Sequence, residues 1–170
     1  MLPGIFMGIL IFAISACKNN PESKIVSPPG KNEMEELNVY FIRKDKERIQ
    51  NYIERRNLQM KESPTGLWYQ ITKEGAGSDF KENDKVVFDY ECSLLDGTRC
   101  YSSEDLGPKE VVLGRSEMEA GLNEGLRLLK PGAEAIFIMP PYLAHGFLGD
   151  RNKIPSRAVI VYHINILSPQ

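Results

Sequence analysis

A chain of 170 residues with 42% hydrophobic and 26% charged side chains has the composition of a folded protein, and its length suits one domain with appendages. The net charge of −2, with Lys and Arg spread along the chain, lacks the basic footprint needed to neutralise phosphates, so nucleic acid is not expected as a partner. There is no HExxH, CxxC, Gly-x-Ser-x-Gly or Walker loop, and the histidines are His145 and His163, so neither metal nor cofactor is expected.

Residues Ile5 to Ile14 form an apolar run of signal-peptide length, too short to cross a bilayer as a stable helix. The following Ile14-Ser15-Ala16-Cys17 resembles a bacterial lipobox, which would make 1–16 a lipoprotein signal peptide and Cys17 the lipidated first mature residue. A plain secretory peptide, or a buried helix with a chance cysteine, is the alternative, and no Lys or Arg precedes Cys17. The lipid reading places the chain on a cell-envelope membrane. Lys18 stands where an aspartate often signals inner-membrane retention, so the outer membrane, facing the periplasm, is expected.

Residues 17–31 carry three prolines and little to bury, and read as a tether. An N-terminal helical segment is expected over 32–62, with Asn32 and Glu35 as a cap. A helix of roughly 25 residues would extend about 37 Å. Met34, Leu37, Phe41, Ile42, Ile49, Tyr52 and Ile53 fall near one stripe, and Arg43, Lys44, Lys46, Arg48, Glu54 and Arg55 lie largely elsewhere. That stripe can pack on its own domain or pair two chains into a homodimer, and the pattern favours neither.

Ser63-Pro64-Thr65-Gly66 breaks the helix and opens the region 63–170. Strand patterns follow at Leu67–Thr72, Val86–Leu94, Thr98–Tyr101, Glu110–Leu113 and Ala133–Met139. Ser116 and Glu119 read as a capping box for a short helix carrying Met118, Leu122, Leu126 and Leu129, with Gly121 and Gly125 allowing close approach. After the loop at His145, Gly146 and Gly149, alternation sets Ala158, Ile160, Tyr162, Ile164 and Ile166 on one face and Val159, Val161, His163 and Asn165 on the other. The sum is an α+β plan, an antiparallel sheet of about five strands wrapped against one short helix. Cys92 and Cys100 flank the Asp96-Gly97 turn. A two-residue turn there pairs Cys92 with Tyr101 and leaves the sulfurs on opposite faces, so two buried thiols are expected before a disulfide.

In this order stand Gly66-Leu67-x-Tyr69, Val87-Phe88-Asp89-Tyr90, Leu95-Asp96-Gly97, Leu113-Gly114, Gly121-Leu122-x-x-Gly125-Leu126, Ala144-x-Gly146 and Ile154-Pro155. On these motifs, residues 66 to 170 resemble the FKBP-type peptidyl-prolyl cis-trans isomerases. The wording of Tyr101–Pro108 and Gly149–Ile154, joined to the lipobox and helix, is similar to a gliding-motility-associated lipoprotein branch of that family. The resemblance implies an FKBP-like fold, a proline-containing polypeptide as substrate and a prolyl pocket. Tyr90, Leu122, Tyr162 and His145 would act on the reacting bond, with Cys100, Tyr101, Val111, Met118, Glu119 and Ile154 lining the rest. Departures from the family pattern are Leu122 for a floor Trp, Cys100 for a wall Phe, Tyr101 for an Asp, Lys109 for an aromatic and His145 for the Tyr that donates to a substrate carbonyl.

His145 can replace a tyrosine donor through an N–H and would add pH sensitivity near neutrality; otherwise it is a rim histidine in solvent. Tyr90 and Tyr162 can equally be ordinary sheet aromatics. Glu119 stands where only a backbone donor is needed. The activity implied is proline isomerisation assisting folding of exported proteins. The alternatives are a chaperone or assembly subunit of the same fold without activity, and thiol redox chemistry at Cys92 and Cys100.

Overall fold

The computed structural model describes residues 30–167; the apolar run Ile5–Ile14, Cys17 and the tether up to Pro29 lie outside them. Helix α1 is Lys31–Arg56. Its start is closed by Glu33, whose carboxylate accepts the Gly30 backbone N–H at 3.0 Å. This corrects the expected Asn32–Glu35 cap. The cap is Gly30, two residues before Asn32, so Asn32 already lies within the first turn. Asn57 ends it in the left-handed region at φ 51°, returning its N–H to the carbonyls of Ile53 and Glu54.

Seven strands form one antiparallel sheet: β1 Lys61–Glu62, β2 Trp68–Lys73, β3 Lys85–Leu94, β4 Arg99–Ser102, β5 Lys109–Val112, β6 Glu134–Met139 and β7 Ile160–Ile166. The order across the sheet is β1-β2-β6-β7-β3-β4. Long β3 pairs with β7 on one edge; on its other edge β5 takes the first half and β4 the second. A single turn, α2 (Ser103–Leu106), carries the chain between those two partners. The sheet has seven strands against the expected five or so: six match the strand patterns of the sequence, and the seventh, β1, is too short to show an alternation and falls inside the segment 32–62 expected to be helical.

The sheet's inner face is built by period-2 alternation: Phe88 and Cys92 on β3, Ala135, Phe137 and Met139 on β6, and Ile160, Tyr162, Ile164 and Ile166 on β7 all enter one buried cluster. Helix α3 (Ala120–Leu126) closes that cluster with Leu122 and Leu126. It sits so close that a Cβ on Gly121 would meet Met139 Sδ at 2.6 Å and one on Gly125 would meet Phe137 Cε2 at 2.5 Å. The expected Ser116–Glu119 capping box does not form. Ser116 Oγ accepts the Val112 N–H at 2.8 Å, and the helix starts only after Glu119.

The outer face carries a second, smaller core. Ile49 and Tyr52 of α1 lie on Ile138, Val159 and Val161. The C-terminal half of the helix therefore packs on its own domain, while Met34, Leu37, Val39, Tyr40 and Ile42 in the first half stay exposed. Asp45, one turn before Ile49, is buried too, and is held by Arg157 Nη2 at 2.9 Å. Cys92 pairs with Tyr101, with a register shift between Cys92 and Ser93, and both Cys92 and Cys100 are free thiols in the inner core.

Candidate active site

Most of the expected lining residues belong to the inner core cluster, and they come from several places in the chain. Tyr90 comes from β3, Cys100 and Tyr101 from β4, Val111 from β5, Met118 and Glu119 from the approach to α3, Leu122 from α3, and Tyr162 from β7. The loops after β6 add His145 and Ile154. Tyr90 and Tyr162 face each other with ring centroids 5.9 Å apart at 37°. Cys100, Val111, Leu122, Ile154 and Tyr162 are buried, while Tyr90, Tyr101 and Met118 are partly so. Cys17 lies outside the described residues.

The floor is closed in this conformation. Leu122 is 0% exposed and Tyr162 3%. Part of the cover is the side chain of Glu119, to which the sequence assigned only a backbone role. Its Oε1 accepts the Tyr162 hydroxyl at 2.9 Å and lies 3.1 Å from His145 Nε2. His145 is thus tied to a carboxylate instead of standing free at the rim. Beside them is a recess of about 390 Å³ lined by Lys109, Glu117, Met118, Glu119, Ala144 and His145.

Charge and burial set which groups can donate protons here. Burial, and then the Glu119 carboxylate, push the Tyr162 hydroxyl far above its ordinary pKa, so it stays a neutral donor. Burial, then Cys92 and Glu119, raise Tyr90 likewise. The Cys92 thiol is pushed up to about 12, first by burial and then by Cys100. Burial also raises Cys100, so neither sulfur is poised as a thiolate at neutral pH. That weighs against the redox reading.

Two residues were missed in the sequence. Asp150 organises the wall: its Oδ1 accepts the N–H groups of Asn152 and Ile154, each at 2.8 Å, and its Oδ2 takes the Tyr101 hydroxyl. The Asp150-x-Asn152 spacing is an Asx-turn signal that could have marked it. Arg157 fixes the loop before β7 by donating its backbone N–H to Gly146 at 3.1 Å while its guanidinium lies 3.7 Å from the Phe41 ring centroid on α1. Nothing local in the sequence signals that contact.

Residues 77–167 match the family described as FKBP-type peptidyl-prolyl cis-trans isomerase. The chain is 38% identical over 96 residues to peptidyl-prolyl cis-trans isomerase FKBP10 of Mus musculus, covering 56% of this chain and 16% of that protein. It is 34% identical over 109 residues to FKBP-type peptidyl-prolyl cis-trans isomerase FkpA of Aeromonas hydrophila, covering 64% of this chain and 40% of that one. The similarity thus spans well under half the length of these relatives. Among solved structures, FkpA from Escherichia coli superposes with a TM-score of 0.62 at 26% identity, covering 84% of this chain and 74% of that one.

Proposed function

The chain belongs to the FKBP-type peptidyl-prolyl cis-trans isomerase family, and from that premise we propose that it catalyses rotation about X-Pro bonds of polypeptides at the Tyr90–Leu122–Tyr162 end of its inner core. Rotation must break amide resonance against a barrier of about 18–20 kcal/mol, which takes tens of seconds or longer unaided. No covalent step is needed. A ring seated on Leu122 beside Tyr90 and Tyr162 loses water around its planar, dipolar amide, which favours the twisted, less dipolar form; each tenfold gain needs about 1.4 kcal/mol. His145 Nε2 can donate to the substrate carbonyl only by turning away from the Glu119 carboxylate that holds it here.

The observation that carries this reading is the meeting of Tyr90, Leu122 and Tyr162 in one apolar cluster. Its test is refolding of a protein limited by a slow proline phase, with a soluble version beginning at Ser27. A slow phase that quickens with added protein is expected; an unchanged rate at micromolar protein rejects catalysis. The closed floor favours a second reading, a chaperone or assembly subunit that holds chains without speeding rotation. It would suppress aggregation in the same assay with the rate unaltered.

The finer reading is a lipid-anchored isomerase of the gliding-motility-associated kind, assisting exported proteins in the periplasm from the outer membrane. It is supported by Ile14-Ser15-Ala16-Cys17 and by the wording of Tyr101–Pro108 and Gly149–Ile154. A Cys17→Ser variant is expected to leave the membrane fraction; persistence there, with no lipid on the wild type, excludes the anchor. The exposed Met34, Leu37, Val39, Tyr40 and Ile42 on the first half of α1 support a homodimer through that segment. Sedimentation should then give twice the chain mass, reverting to one chain in a Leu37→Glu/Ile42→Glu variant; a monomeric wild type rejects the dimer.

A further inference from the structure

Glu119 stands at the N-cap of α3, yet its side chain makes no capping hydrogen bond to the helix and is available for another use. The side chain is 8% exposed and bonds inward to Tyr162. Oε1 is satisfied by the Tyr162 hydroxyl and by His145, with Nε2 carrying the proton. Oε2 is buried and has no hydrogen-bonding partner, and Lys109 Nζ stands 3.9 Å away, beyond hydrogen-bond reach. A buried acceptor without a donor is costly, so a ligand that brings a donor to Oε2 recovers that free energy on binding.

The neighbouring recess says what kind of donor fits. Glu117 and Glu119 set two carboxylates there against the single ammonium of Lys109, which favours an arriving cation over an anion. Met118 and Ala144 offer apolar surface for the stem of a lysine or arginine. Glu119 Oε1 holds the Tyr162 hydroxyl, and Tyr162 and Leu122 belong to the same buried cluster, so the carboxylate borders the floor on which a ring would sit. A chain whose proline ring reaches that floor brings its neighbouring residue up to the carboxylate and the recess beside it.

We propose that the Glu119 side chain is a specificity determinant, selecting chains in which lysine or arginine immediately precedes the proline. This rests on the isomerase reading above. The test is a set of proline tetrapeptides, differing only in Lys, Leu or Glu before the proline, measured on the intact protein for both kcat/KM and Kd. The Lys peptide is expected to exceed the Leu peptide by about tenfold at low salt, with Glu lowest and the gap narrowing as salt rises.

Glu119→Gln should collapse the Lys-to-Leu ratio toward one, and Lys109→Met, which removes the competing ammonium, should widen it. The ratio is the readout, so any general loss from disturbing Tyr162 or His145 cancels. Equal kcat/KM and equal Kd across the series overturn the proposal and leave the isomerase reading standing. Absence of turnover with a Kd preference for Lys overturns catalysis and supports Glu119 as the selector. Absence of both overturns both.

Discussion

The Asp150 carboxylate shows how a single side chain fixes a wall of the site. Burial pushes its pKa up, but the Tyr101 hydroxyl, the amides of Asn152 and Ile154, and His145 together outweigh burial and hold it below the ordinary carboxylate value. A depressed acid stabilises the fold above its unfolded pKa of about 3.9, and the contribution is lost as pH falls through the lower folded value. Asp150→Asn should therefore melt earlier than wild type at pH 7, by an amount of the order of 1–3 kcal/mol. The gap should close in strong acid; a gap independent of pH would mean that the charge plays no part. Glu119 marks the limit of sequence reasoning at this scale. Tyr90, Leu122 and Tyr162 could be named from motif and alternation, but the inward turn of Glu119 depends on a hydroxyl 43 residues later and on a histidine 26 residues later.

Among the elements, β7 was the most legible, because Ile160, Tyr162, Ile164 and Ile166 alternate strictly and the structure buries all four. Cap positions were the least. Asn32 and Ser116 are both good N-cap types, yet Glu33 bonding back to Gly30 and Ser116 bonding to Val112 drew the chain elsewhere. Gly125 tests why α3 can lie so near β6. An added methyl would press on Phe137, itself fully buried and without room to retreat, so Gly125→Ala should cost about 1–3 kcal/mol in urea unfolding. A neutral effect would mean that α3 can lift away from the sheet.

Taken whole, the molecule has two cores separated by one sheet, and the sequence made only one of them legible. The outer core was hidden because the helix stripe fitted intramolecular packing and chain pairing equally well, and because Asp45 sits on the stripe with its partner Arg157 112 residues away. Ile49→Ala removes the best-buried side chain of α1 and should lower stability by about 2–5 kcal/mol. Peptide turnover measured below the melting point should be far less affected, since Leu122, Tyr90 and Tyr162 belong to the other core. Equal losses in both would mean that the two cores do not separate.

Arg157 joins these levels in one place. It holds a left-handed backbone at φ 56°, pairs with Asp45, lies against Phe41 and reaches toward Phe147, while its own amide anchors Gly146 next to His145. It works as a rivet between the helical arm and the strip of chain that carries the rim. A tug on the amino-terminal arm would load this rivet ahead of the sheet, so mechanical tension in the arm has a direct route to the loop that carries His145.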